Sequence, residues 1–145
     1  MLLPYPAACV FGVVCDVEAY PEFVPGCAAV RIDADGDEGT EATVDIEARG
    51  FRESFATRNE TISDGDATTL LMHLVDGPFD TFEGQWRVVE IGGGAGSRVE
   101  LSVAFEFKNA LARLLGLSFG RALDRLADRI VEAFCERIRN ECTAP

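Results

Sequence analysis

Five cysteines, one histidine and a surplus of carboxylates are the side chains in this 145-residue sequence with the most obvious capacity for chemistry. The cysteines stand at Cys9, Cys15, Cys27, Cys135 and Cys142, an odd number with no C-x-x-C pair. Structural zinc needs thiolate or imidazole donors at short spacing, because four of them must converge on one ion. His73 is the only histidine, so such a set cannot be assembled and no metal site is expected. Free thiols then imply a reducing compartment. His73 lies in an apolar run with no fixed acidic partner in the sequence, and reads as a packed or surface residue rather than a base. Only a pairing in space with His73 could activate one of the cysteines as a nucleophile.

Two further features invite a chemical reading. Gly92-Gly-Gly-Ala-Gly96 has the glycine content of a phosphate loop. It lacks the Lys-Ser/Thr ending and falls between two strand-like runs instead of before a helix, so a hairpin turn is the better reading. Most carboxylates occupy the wet positions of alternating runs. Glu53 differs, because it shares parity with Phe51 and Phe55 and so points to the apolar face. A carboxylate buried there would have a raised pKa and could serve as a base, although a rim position or a hydrogen-bonded core residue is the simpler account.

The elements that must position these residues follow from periodicity. Pro6–Val17 has Val10, Val13, Val14 and Val17 at helical spacing, with Pro6 in the first turn where its missing N–H is harmless. Pro21 and Pro25 then break any regular element. About six strand-like runs follow, separated by Asp/Gly-rich turns. Thr40–Gly50 is the clearest, with Ala42, Val44, Ile46 and Ala48 on one face and charged or hydroxyl residues on the other. Arg98–Phe107 puts Val99, Leu101, Val103, Phe105 and Phe107 in register. Beyond Asn109, a plausible N-cap, the period becomes helical: Phe119, Leu123, Leu126, Ile130, Phe134 and Ile138 form one apolar stripe. Arg121/Asp124, Arg125/Asp128 and Arg129/Glu132 are spaced to pair on the opposite face. Strands joined by short turns are antiparallel, and one sheet face must be covered. The long helix is the only element with a stripe sufficient to cover it. The fold class expected is therefore α+β, in one domain spanning residues 1–145.

Charge narrows the partners. The net charge is −12, which disfavours direct binding to a nucleic-acid backbone. Residues 108–142 nevertheless carry seven basic and five acidic side chains, so the C-terminal helix is the least acidic surface. The apolar segment Met1–Cys15 lacks the positively charged start of a secretory signal, the first basic residue being Arg31, and it is too short to span a bilayer. It is expected to be part of the fold, and the chain to be cytoplasmic.

The aromatic residues are concentrated: Phe51, Phe55, Phe79, Phe82, Trp86, Phe105 and Phe107 fall on the strands, Phe119 and Phe134 on the helix. Most must be core, but a curved sheet gripping one helix often keeps an unfilled apolar interior. Two stretches here resemble a known family. Asp16-Val-Glu-Ala-Tyr-Pro-Glu-Phe-Val-Pro-Gly-Cys27 and Asp76-Gly-Pro-Phe-Asp-Thr-Phe-Glu-Gly-Gln-Trp86 are similar to the two signature segments of the coenzyme Q-binding START-like family. Its bacterial members are also called ribosome-association toxins, and many carry the label cyclase/dehydrase. Gly50–Phe55 and Glu132–Arg137 fit the same pattern, so the resemblance covers nearly the whole chain.

That resemblance implies a helix-grip (START / Bet v 1-like) fold, a curved antiparallel sheet wrapped round a long C-terminal helix with a tunnel for a lipid-like ligand. It implies that the ligand is ubiquinone, carried or presented to the respiratory chain without chemical change, with no catalytic residue and no catalytic cofactor. Tyr20, Pro21 and Phe23 would lie near the tunnel mouth, and Phe79, Phe82 and Trp86 along its wall. Phe51, Phe55, Met72, Phe105, Phe119, Leu123 and Ile130 complete the candidate ligand-binding set. The partners implied are a polyprenyl quinone or other lipid, a transient contact with the inner-membrane surface or respiratory complexes, and, as an alternative, the ribosome. Two departures stand out: only Met1–Leu3 precede Pro4-Tyr5 where the family has a full strand, and Gly26 stands where the family tends to have Trp. Two other functions remain open at this level, namely a protein that blocks ribosomal subunit joining and a cyclase or dehydratase using Glu53.

Overall fold

A computed structural model of the chain describes residues 1–37, 39–48, 51–107 and 118–144; the side chains of 48, 51, 107 and 118–127 lie outside that description. The order of elements is β1 (Leu2–Leu3), α1 (Ala7–Cys15), a 3-10 turn (Val17–Glu22), β2 (Cys27–Gly36), β3 (Gly39–Ala48), β4 (Phe51–Asp64), β5 (Ala67–Asp76), β6 (Phe79–Ile91), β7 (Gly96–Phe107) and α2 (Ser118–Glu141). The strands form one seven-stranded antiparallel sheet in the order β1-β7-β6-β5-β4-β3-β2. This is a meander, as the short Asp/Gly-rich turns require, with the N-terminal stub β1 added beside β7 through the pairs Leu2/Arg98 and Leu3/Ser97. The sheet thus has one strand more than the six anticipated, because two residues suffice to pair once Met1 N–H and C=O are also engaged by Val99.

Register assigns the two faces. Ala42, Thr57, Leu74 and their in-line neighbours Thr40, Asn59, Met72, Gly84 and Val103 share the covered face. Arg58, His73 and Glu83 share the outer one. The outer face is a lattice of exposed ion pairs such as Arg58–Glu41 at 2.8 Å and Arg31–Asp33 at 2.7 Å, each contributing of the order of 0–1 kcal/mol.

The cover is not the long helix alone. Val10 and Val14 of α1 are fully buried, and with Val13 they join Phe134, Ile138, Trp86, Val88 and Val99 in one apolar cluster. Helix α1 therefore closes one end of the sheet over β6 and β7, which its short valine stripe had not been credited with. Burying each such side chain contributes roughly 1.5–3 kcal/mol. The Tyr20–Gly26 stretch, expected to be irregular, begins inside a 3-10 turn, Val17–Glu22, that contains Pro21. Pro21 has no N–H to give, and the backbone bonds of the turn run from Ala19 to Asp16 and from Phe23 and Val24 to Tyr20, on either side of it. The Asn109 cap and the upper half of the stripe lie outside the described residues. Of the three arginine pairs proposed for the helix surface, only Arg129/Glu132 can be inspected. It forms no ion pair, and the helical pair present is Arg137–Glu141, at 2.8 Å.

Candidate functional site

The first signature stretch packs its aromatic side chains into the structure, while its Asp16, Val17 and Glu18 line a cleft against the sheet. Tyr20 donates its hydroxyl to the Val14 carbonyl, which ties the 3-10 turn back to α1. Burial is the main cause that pushes the Tyr20 phenol far above its ordinary range, with Cys15, Cys27 and Asp16 adding to it. The rings of Tyr20, Phe23 and Phe134 meet edge to face at 5.1–5.9 Å, and Trp86 packs on Phe134 with centroids 4.6 Å apart. Arg137 caps the group, its guanidinium 5.0 Å from the Phe23 ring and 3.6 Å from Glu22. Ile130 packs against the edge of this knot. Tyr20, Phe23, Trp86 and Ile130 of the predicted set are thus brought together, but as the clasp between α1, the 3-10 turn and α2.

The second group lies toward the β5–β6 turn. Phe55, Phe79, Phe82 and Phe105 form a connected cluster with centroids 5.2–5.7 Å apart. Phe79 is buried, whereas Phe55, Phe82 and Phe105 keep part of their surface open on the covered face. Met72 lies between the two groups, opposite Gly84. A Cβ on Gly84 would come within 2.5 Å of the Met72 methyl, so the glycine is what lets Met72 lie flat on the sheet. Gly77 of the Asp-Gly-Pro-Phe signature does the same for the turn: its φ is +155°, and a Cβ there would meet the Phe55 Cβ at 2.6 Å. The Phe51, Phe119 and Leu123 side chains lie outside the described residues.

A cleft of about 230 Å³ opens between the junction of α1 with the 3-10 turn and strands β2–β5. Leu70, Val17 and Asn59 are its buried lining, Ile32 and Thr40 its half-buried wall, and Cys15, Asp16, Glu18, Asp35 and Thr61 its exposed rim. Asn59 and Thr57 are buried polar residues of the covered face, and Thr57 donates its hydroxyl to Asn59 Oδ1 at 3.0 Å. The sequence did contain this signal, since Thr57, Asn59 and Thr61 hold the same parity as Phe55, but the weak alternation of that strand concealed it.

Glu53 also faces the covered side, beside Ile46 in register, but it is only half-buried. His73 is exposed on the outer face and has the acidic neighbour the sequence did not reveal, Glu60 at 3.1 Å. The expectation of five free thiols is overturned, because Cys9 and Cys142 form a disulfide with Cα atoms 5.9 Å apart. Their 133-residue separation hid a pairing that the packing of α1 against the end of α2 creates. Cys15, Cys27 and Cys135 are free. Burial pushes the Cys15 thiol up to about 11, a hydrogen bond with Thr61 offsetting part of the rise, and it pushes Cys27 up to about 11 with help from Asp45. Among the described residues no three His, Cys, Asp or Glu side chains converge to hold a metal, and no helix is long and apolar enough to cross a membrane.

Known proteins resemble this chain in sequence and in fold. The ribosome association toxin RatA of Escherichia coli strain K12 is 37% identical over 143 residues, covering 99% of this chain and 86% of that protein. The solution structure of an 18 kDa protein from Caulobacter crescentus is 31% identical and superposes with a TM-score of 0.71 over 97% of this chain and 93% of its own. A START superfamily protein from Mycobacterium smegmatis, at 19% identity, shares the fold with a TM-score of 0.78 over 97% of this chain and 94% of its own. The covered antiparallel sheet is therefore a START / Bet v 1-like helix-grip fold. Residues 3–135 match the family described as polyketide cyclase / dehydrase and lipid transport, and the chain belongs to that family.

Proposed function

We propose that the protein binds and carries an apolar small molecule, ubiquinone or a similar polyprenyl lipid, without altering it. The observation that carries this reading is the incomplete cover of the inner sheet face. Phe55, Phe82, Phe105, Leu74 and Val103 face inward by register yet stay partly open, Val103 at 45% exposure. An inward face left partly open and apolar is what a hydrophobic guest would complete. The lipid-transport part of the family description supports the same reading. In this reading the chemistry is binding and desolvation, and Glu53 is half-buried with no hydrogen bond or ion pair among the described residues.

Organic extraction of the purified protein followed by mass spectrometry tests this directly, and a polyprenyl quinone is the expected product. Titration with a soluble quinone should quench the single tryptophan, Trp86, saturably. An empty protein that also fails to respond to added quinone overturns the proposal.

A second reading is association with the ribosome, favoured by the name of a relative 37% identical over nearly the full chain. It predicts altered subunit joining in sucrose gradients when the protein is overproduced. Unchanged gradients would remove it.

A further inference from the structure

We propose that the cleft beside α1 seats the polar end of the bound lipid, that Asn59 is its hydrogen-bond donor, and that the carboxylates at its rim restrict it to uncharged, carbonyl-bearing heads. The proposal rests on the carrier reading above and adds to it a seat, an orientation and a selectivity.

Asn59 is 7% exposed and forms part of the cleft lining. Its carbonyl oxygen is used by the Thr57 hydroxyl, at 3.0 Å. Its amide N–H groups have no partner among the described residues. Ser97 Oγ is the one fully enclosed polar side-chain atom without a partner among the described residues, so the Asn59 amide is reached from the cleft, where a ligand acceptor can take the place of water. What Asn59 itself still offers the cleft is a donor, so the complementary ligand group at that point is an acceptor.

The size and charge of the cleft define that acceptor further. About 230 Å³ is below the range of a site enclosing a whole ligand of lipid size and suits one ring-sized group. Asp16, Glu18 and Asp35 stand at its rim, and among the described residues no lysine or arginine lines it. Asp35 accepts a hydrogen bond from Thr40 at 2.9 Å, which holds its carboxylate at the entrance. Three negative charges repel a carboxylate or phosphate head before it is desolvated. A cationic head would be drawn to the rim but would find a donor at the bottom. A neutral carbonyl satisfies both.

The strand itself supplies the orientation. Along the covered face of β4 the order is Thr61, Asn59, Thr57, Phe55, hydroxyls and amide first and aromatic ring last. Phe55 lies four residues from Asn59, about 13 Å along the strand, where the Phe79 and Phe82 rings join it. A ligand with its head on Asn59 thus lays its apolar body over Met72, opposite Asn59 in register, toward that cluster.

The test compares two probes, decylubiquinone and dodecanoate, in equilibrium binding to the full chain. Wild type should bind the quinone and discriminate against the carboxylate by at least tenfold. Asn59→Leu, and Asn59→Asp, which preserves both volume and the acceptor for Thr57, should each weaken quinone binding about tenfold or more while circular dichroism stays native. The exposed triple variant Asp16→Asn/Glu18→Gln/Asp35→Asn, which should fold irrespective of the Asn59 results, should gain dodecanoate binding. Quinone affinity unchanged in both Asn59 variants but reduced by Phe82→Ala would overturn the head seat and leave the carrier reading standing. Equal affinity of wild type for the two probes, or no gain in the triple variant, would overturn the charge selection. Failure of wild type to bind either probe would overturn the carrier reading and this proposal with it.

Discussion

Phe134→Ala should be among the most damaging single substitutions in the molecule, and its cost can be worked from its neighbours. The side chain is 3% exposed and its ring meets those of Tyr20, Phe23 and Trp86 at 5.1, 5.1 and 4.6 Å. Truncating a buried phenylalanine costs about 3–5 kcal/mol, and three aromatic partners held by the 3-10 turn with its C-cap and by β6 cannot all collapse into the void. The upper half of that range is therefore expected. At roughly 2–4 °C per kcal/mol for a domain of this size, the melting temperature should fall by about 10–15 °C. The matched control is Phe82→Ala, whose ring is only half-buried and lies in the other cluster, with an expected cost of about 1–2 kcal/mol. Urea unfolding followed by far-ultraviolet circular dichroism is the assay, because Trp86 fluorescence will change with the local environment in the Phe134 variant. A loss below about 1.5 kcal/mol for Phe134→Ala, or equal losses for both variants, would refute the division into a structural clasp and an open ligand wall.

Other perturbations follow from the same geometry. Removing the Cys9–Cys142 bond by Cys9→Ser releases a 133-residue loop and should cost about 2–5 kcal/mol, read as a lower melting temperature that added reductant does not lower further. Wild type and variant melting together without reductant would show that the bond does not form. Gly77→Ala places a methyl 2.6 Å from the Phe55 Cβ at a φ of +155° and should destabilise by more than 1 kcal/mol, about the cost of a strained backbone, whereas Gly12→Ala, with open space around it, should not destabilise. For Cys15 and Cys27, raised by burial to about 11, the thiolate fraction at pH 8 is of the order of 10⁻³. Their alkylation rate should keep rising about tenfold per pH unit to near pH 11, and a plateau near pH 8.5 would contradict the burial assigned to them.

Much of the fold was legible because its signals are local. Alternation from Thr40 onward and the 3.6-residue stripe that includes Ile130, Phe134 and Ile138 identify the sheet and its cover without knowledge of contacts. The contribution of α1 was not legible, since four valines at helical spacing state that a face is buried but not against what. The disulfide was hidden for a related reason: nothing in the spacing of Cys9 and Cys142 anticipates that α1 and the end of α2 lie side by side. The candidate site divided along the same line. Aromatic residues announce themselves by type, and the strand-borne rings of Phe55, Phe79, Phe82 and Phe105 do group together, whereas the packing of Tyr20 and Phe23 on Phe134 carries no periodic signal. Asn59 did not announce itself, because a single asparagine in a strand of mixed polarity gains meaning only when Thr57 is seen to occupy its carbonyl and Leu70 to floor the space before it.

The arrangement of charge also bears on how such a protein could meet a ribosome. Among the described residues Arg31, Arg58, Arg87, Arg98 and Arg137 each have a carboxylate within 4.0 Å. Arg52, Arg129 and Arg139 are exposed without one. A phosphate approaching the sheet's outer face would have to displace carboxylates already in place, on a chain of net charge −12. Three uncompensated and dispersed arginines can neutralise few phosphates, so counterion release at the described surface contributes little. Association with ribosomal subunits through that surface should then depend weakly on salt, with a log–log slope smaller in magnitude than about 3 between 50 and 200 mM. Co-sedimentation across a salt series measures it. A steeper slope that persists when Arg49, Lys108, Arg113, Arg121 and Arg125 are neutralised by substitution would refute the view that the described surface avoids RNA.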